Sequence, residues 1–314
     1  MKLIYFLIAL APIAFAELVA ADLDLRTGSI THFVSAAEGA EILGQKDEFV
    51  QRLSSFDRAA RMKTDKAVSE EEFLKFVKSN AATWSEGEEK RIGAAITALR
   101  PALESLPVAF PKKIAFLKTS GAEEGHAFYT RDTAIMLPAK ETAGVDEEQL
   151  RKTIAHELFH ILSRNNPELR ERLYRAIGFD QCDEIDFPAE LKSRKITNPD
   201  APRNDHAIRV RVDGKELSVV PILFSSAPNY DPARGGEFFN YLQFAFLPKD
   251  SKSSAQLLTP QQVSGFFEQI GRNTNYIIHP EEILAENFSL LVMDKREVPS
   301  PEILDKMRRV LEQK

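Results

Sequence analysis

Residues 153–164 read TIAHELFHILSR, with two histidines four positions apart and a glutamate directly after the first. The stretch belongs to a longer segment that begins near Asp146, a plausible N-cap, and closes at Asn165-Asn166-Pro167. Apolar residues recur through it at the spacing of an amphipathic helix: Leu150, Ile154, Leu158 and Ile161. The pattern predicts a helix that carries both histidines in its interior.

The two histidines have the spacing of a metal site. Residues four apart on a helix lie on one face, so His156 and His160 can both direct a ring nitrogen at one ion. Zinc suits two imidazoles plus a carboxylate, with a fourth position left for water. Glu157 is then the candidate general base that takes the proton of the attacking water. The alternative is an ordinary helix whose histidines lie at the surface or cap it.

The third ligand distinguishes the classes of zinc peptidase. A histidine ligand six residues after His160, with glycine at the midpoint, is excluded because those positions hold Asn166 and Ser163. The remaining candidate is a downstream glutamate, and residues 279–288, HPEEILAENF, supply one.

In that second segment, Glu282 and Glu286 share one helix face. Glu282 is the expected metal ligand, and Glu286 can accept a hydrogen bond from the far ring nitrogen of a ligand histidine. Glu281 competes as a ligand, but it lies about 100° around the helix from Glu282.

The pair of motifs, His156-Glu157-Leu158-Phe159-His160 and Glu282-Ile283-Leu284-Ala285-Glu286, resembles the gluzincin class of zinc metallopeptidases, thermolysin-like in the broad sense. That class more often has aspartate where this chain has Glu286, and the separation of the motifs is longer here than in many members. The resemblance implies a zincin-like fold in which RDTAIMLP, residues 131–138, is the edge strand beside the metal helix. An extended peptide could add to such an edge; the alternative is an interior strand.

Two residues before Glu282 are further candidates for catalysis. The segment NYIIHPEEI is similar to the lethal-factor-like branch of gluzincins, in which a tyrosine shortly before the ligand glutamate stabilises the oxyanion. Tyr276 or His279 could supply that donor. The alternatives are a packing aromatic for Tyr276 and a helix N-cap for His279, beside Pro280.

Composition limits the partners and the compartment. A net charge of −6 argues against a nucleic-acid partner. Residues 1–16 combine a lysine, a short apolar run and Ala14-Phe15-Ala16, which predicts a cleaved signal peptide; an uncleaved anchor is the alternative. No other stretch is apolar enough for a membrane span. The single cysteine, Cys182, excludes an intrachain disulfide, which favours a bacterial periplasmic or secreted protein.

The predicted fold class is α+β. After the signal peptide, residues 17–110 are expected to form an N-terminal helical region and residues 111–314 a zincin-like catalytic domain. Residues 185–250 read as a β-rich insertion between the two metal-ligand helices. The predicted function is an exported, Zn²⁺-dependent peptidase that acts on peptides or proteins. The alternative is a non-catalytic zinc- or peptide-binding protein of the cell envelope.

Overall fold

The computed structural model describes residues 22–313, so the predicted signal peptide lies outside the described residues. Helices and strands are both abundant, which confirms a mixed α/β class compatible with the predicted α+β arrangement. Within residues 22–313, no helix has both the length and the apolar character that crossing a bilayer requires.

From residue 22, where the described part of the chain starts, the first elements are strands rather than helices. The elements of the predicted N-terminal region are β1 (Leu23–Arg26), β2 (Ser29–Phe33), α1 (Ala36–Leu43), α2 (Glu48–Arg52), α3 (Ser55–Arg61), α4 (Glu70–Lys78), β3 (Ala81–Ala82) and α5 (Glu86–Ser105). β2 pairs in parallel with β4 (Lys113–Thr119), so one sheet extends across the predicted boundary at residue 110. Side chains of β2 alternate between buried and half-buried, which is the two-residue period of a strand. Within the predicted N-terminal region, residues 22–110 are therefore largely helical but do not pack as a separate unit.

The main sheet has the order β1-β2-β4-β6-β5, with β3 also paired to β4. β5 is Tyr129–Arg131 and β6 is Ala134–Pro138. β6 is buried along its whole length between β4 and β5, so the prediction that residues 131–138 form the edge strand is wrong for β6. The edge is β5, which is antiparallel to β6.

The second sheet is antiparallel, with the order β10-β9-β8-β7. The elements that follow β6 are α6 (Ala139–Gly144), α7 (Glu147–Asn165), α8 (Pro167–Ala176), β7 (Phe179–Gln181), α9 (Ala189–Lys192), β8 (His206–Val212), β9 (Lys215–Ser225), β10 (Leu242–Pro248), α10 (Phe267–Ile270), α11 (Pro280–Val292) and α12 (Pro301–Glu312). The interval 185–250 thus contains three of the four strands of this sheet.

The packing of α7 against α11 creates the candidate site. α7 begins at the predicted N-cap, where the side chain of Asp146 accepts a hydrogen bond from the amide of Gln149. The fully buried Ala285 lets the two helices approach closely, and Phe159 and Phe288 pack with ring centroids 5.5 Å apart. Burying each of these rings contributes about 1.5–3 kcal/mol. Because Phe159 of α7 packs against Phe288 of α11, the face of α7 that carries the two histidines is held against α11.

Candidate metal centre

The three predicted metal ligands converge between α7 and α11. The Oε2 atom of Glu282 lies 3.1 Å from Nε2 of His156 and 3.6 Å from Nε2 of His160. One donor atom from each residue falls within 4.8 Å of the others. His160 and Glu282 are each 1% exposed, so these two ligands are almost fully removed from water, whereas the side chain of His156 is 12% exposed.

Each histidine is oriented by a carboxylate at its other ring nitrogen. Oε1 of Glu286 lies 3.1 Å from Nδ1 of His156, and Lys152 donates to the other oxygen of Glu286 at 3.0 Å. Oε1 of Glu281 lies 3.0 Å from Nδ1 of His160. In both imidazoles Nε2 therefore points toward Glu282. Metal-binding histidines are commonly held in this orientation by a carboxylate at the other ring nitrogen.

Glu281, which the sequence left as a competing ligand, lies behind His160. Its Oε2 accepts hydrogen bonds from the hydroxyls of Ser163 at 2.7 Å and Tyr174 at 2.5 Å. Burial raises the pKa of Glu281, but the contacts with His160, Tyr174 and Ser163 outweigh it and lower that pKa below its usual value. The carboxylate is therefore fully engaged as a partner of His160.

The donor set fits a zinc ion. Two imidazole nitrogens and one carboxylate oxygen are the ligands of catalytic zinc sites. Nε2 of His160 is buried and has no hydrogen-bond partner among the described residues. A buried ring nitrogen without a partner costs free energy unless a ligand satisfies it. A cation at this point would supply that missing interaction.

The carboxylates control the charge of the ligands in the metal-free chain. Burial lowers the pKa of His156, but hydrogen bonds with Glu282 and Glu286 outweigh it and raise that pKa well above its usual value. Burial likewise opposes charge on His160, yet Asp200 and Glu282 raise its pKa to about 9. Burial would raise the pKa of Glu282, and the two histidines instead lower it to about 2.

Glu157 is placed as a proton acceptor beside these ligands. It is 3% exposed, and its Oε2 atom has no hydrogen-bond partner among the described residues. Burial and the nearby carboxylate of Asp200 raise the pKa of Glu157 to about 8. That value belongs to the metal-free chain; a cation bound by the neighbouring ligands would favour the ionised form of Glu157, which can accept a proton.

An open cleft of about 180 Å³ leads to the site. Its lining includes His156, Glu157, Phe128 and Tyr276. Tyr276 is 44% exposed as a residue, and the centroid of its ring lies 6.4 Å from that of His156. Tyr276 is thus at the mouth of the cleft, where a phenol can meet a substrate.

His279 does not line this cleft. It is the N-cap of α11, and its Nδ1 accepts a hydrogen bond from the amide of Glu281 at 3.1 Å. Burial and the neighbouring His206 lower the pKa of His279 to about 4. His279 therefore makes the capping contact that the sequence left open, away from the cleft at His156 and Glu157.

Two residues of the site have no counterpart among the sequence predictions. The amide Nδ2 of Asn198 donates to Oε1 of Glu282 at 2.6 Å. Asp200 presents a carboxylate oxygen within 4.8 Å of donor atoms of Glu157 and His160. Both belong to the sequence Thr197-Asn198-Pro199-Asp200, which reads as a turn, so no local signal marks either residue.

Comparisons of the chain with protein-family models, with curated proteins and with solved structures found no match.

Proposed function

We propose that this protein is a zinc-dependent peptidase of the gluzincin type with a zincin-like catalytic domain. The observation that carries the proposal is the convergence of His156, His160 and Glu282 around a buried, unpartnered Nε2 of His160. Glu157 adds the acid–base group that a hydrolase needs, with an unpartnered oxygen beside the ligands.

The residues of the site have separate roles in the proposed hydrolysis of peptides. His156, His160 and Glu282 would hold zinc, which when bound polarises a carbonyl and lowers the pKa of a water. Glu157 accepts the proton of the attacking water and passes it to the leaving amine. Tyr276, at the mouth of the cleft, donates its hydroxyl proton in a hydrogen bond to the carbonyl oxygen as charge develops there.

The second candidate is a non-catalytic zinc- or peptide-binding protein of the cell envelope. Metal binding alone does not require Glu157, and a buried carboxylate without a hydrogen-bond partner costs stability. Its presence favours the enzyme. In either case we propose export through the predicted signal peptide, to the periplasm or beyond.

The experiment that separates the two candidates uses Glu157→Gln. The mature protein is loaded with zinc, freed of excess metal and incubated with a peptide library, and products are read by mass spectrometry. We expect the wild type to cleave peptides and Glu157→Gln to lose at least about 10²-fold in rate while keeping stoichiometric zinc. Glu168→Gln, an exposed change on α8, is the matched control. If the zinc-loaded wild type hydrolyses no peptide, the proposal that the protein is a peptidase is refuted.

A further inference from the structure

We propose that the site acts on peptides from their amino-terminal end, with Asp200 binding the α-ammonium group of the substrate. The inference rests on the proposed peptidase function and names its substrate class, peptides with a free amino terminus. It starts from the segment Thr197–Asp200, which the mechanism above does not use.

The segment blocks the edge of the main sheet. Because β5 is antiparallel to β6, the backbone groups of alternate residues point away from the sheet. The outward amide of Thr130 donates to Oδ1 of Asp200 at 2.7 Å, and the hydroxyl of Thr130 donates to the same oxygen at 2.6 Å. A substrate strand cannot pair with this amide while Asp200 holds it. The extended peptide addition expected for the edge is therefore interrupted at Thr130.

The segment Thr197–Asp200 is anchored at both of its ends. The amide of Thr197 donates to Asp57 at 3.1 Å, and the guanidinium of Arg61 donates to the carbonyl of Thr197 at 3.1 Å. The side chains of Asp57 and Arg61 are themselves fully buried and joined by an ion pair of 2.7 Å. At the other end, Arg164 donates to the carbonyl of Asp200 at 3.3 Å. Displacing the segment would expose the buried charges of Asp57 and Arg61, so the segment keeps a fixed position beside the site.

One oxygen of Asp200 remains available for a ligand. Both bonds from Thr130 use Oδ1, and no described residue donates a hydrogen bond to Oδ2. Glu157 is nearly fully buried and its Oε2 atom has no hydrogen-bond partner among the described residues. A carboxylate oxygen of Glu157 and one of Asp200 lie within 4.8 Å of each other. In an amino-terminal residue, the α-nitrogen and the attacked carbonyl are attached to the same carbon. A carboxylate this close to the ligand atoms is within reach of that nitrogen.

The charge of the site favours a cation in this position. The Asp200 carboxylate accepts its hydrogen bonds from the amide and the hydroxyl of Thr130, so none of its hydrogen-bond donors among the described residues is a cation. Glu286 is already paired with Lys152, and Arg164 donates to the carbonyl of Asp200, so its charge reaches the Asp200 carboxylate only through space. An ammonium group can donate to Oδ2 of Asp200, whereas a carboxyl terminus would be repelled by this carboxylate.

The test compares a leucyl peptide with its N-acetylated form, both amidated at the carboxyl end. Affinity is measured by calorimetry on zinc-loaded Glu157→Gln, which binds without turnover, and cleavage is measured on the zinc-loaded wild type. We expect the free peptide to bind at least about tenfold more tightly and to lose its first residue. Adding Asp200→Asn should remove most of this preference while leaving the affinity for the acetylated peptide unchanged. Asp132→Asn, in the exposed turn after β5, is the matched control.

The outcomes separate this inference from the proposed function. Equal affinity for the two peptides, or cleavage of the acetylated peptide at internal bonds, would overturn the amino-terminal preference and leave a peptidase. A loss of zinc in Asp200→Asn would make Asp200 a metal ligand and would also overturn it. Absence of hydrolysis by the wild type refutes the peptidase, and the binding comparison still decides whether Asp200 recognises an amine.

Discussion

Zinc binding should release about two protons from His156 and His160 at pH 7. In the metal-free chain, burial disfavours the charged imidazoles, but the surrounding carboxylates raise the pKa of His156 well above its usual value and that of His160 to about 9. A group with a pKa of about 9 is about 99% protonated at pH 7. Because a metal ligand must be a neutral imidazole, binding has to displace these protons.

The size of the release distinguishes this site from one with ordinary histidines. Two imidazoles with a pKa of about 6.5 would together lose about half a proton at pH 7. Here the release is about two, so zinc affinity should rise about 100-fold for each pH unit between about 6 and 8. Glu157, with a pKa of about 8, can only add to the release. The stability of the metal-free fold changes with pH in the opposite direction to zinc affinity. The raised histidine pKa values stabilise the fold below about pH 6.5, and this contribution is lost as the pH rises toward about 9.

The assay is calorimetric titration of zinc into the metal-free protein at pH 7, in buffers of different ionisation enthalpy. Glu286→Gln removes a charge that raises the pKa of His156, so it should reduce the release. Glu168→Gln, remote from the site, should not. A wild-type release of half a proton or less would refute the reasoning, because the histidines would then be neutral before zinc binds.

Three further substitutions test the contacts of the site and its support. Glu281→Ala removes the acceptor of His160 and should weaken zinc binding about 10–100-fold in a chelator competition; unchanged affinity would contradict the orienting role. Tyr276→Phe should lower kcat about 10²-fold with zinc content unchanged, and full activity would make Tyr276 a packing residue. Arg61→Met leaves Asp57 and Glu124 buried without their cation, and should cost about 3–5 kcal/mol in denaturant unfolding; a loss below about 1 kcal/mol would contradict this.

The sequence by itself determined the elements whose signals are local. Helical spacing brings His156 to the same face as His160, and the same rule brings Glu282 to the face of Glu286. The N-cap at Asp146 was also predictable, because it depends on a few neighbouring residues. The identity of the candidate donors therefore follows from periodicity and residue chemistry, without knowledge of how the helices pack.

Tertiary structure decided which partner each group meets. Glu281 was expected only as a competing ligand, and it holds His160 because α8 brings Tyr174 and α7 brings Ser163 to its other oxygen. His279 caps α11 instead of lining the cleft. Contacts of this kind join residues far apart in the chain, and no periodic pattern encodes them.

The strongest case is the segment Thr197–Asp200. Its sequence reads as a turn, yet the buried pair of Asp57 and Arg61 holds it against the site. In this position Asn198 donates a hydrogen bond to Glu282, and Asp200 accepts one from the edge strand β5. Residue types and spacing could identify the candidate donors. The amino-terminal preference that we propose depends on a loop whose position is fixed by buried charges well over a hundred residues earlier in the chain.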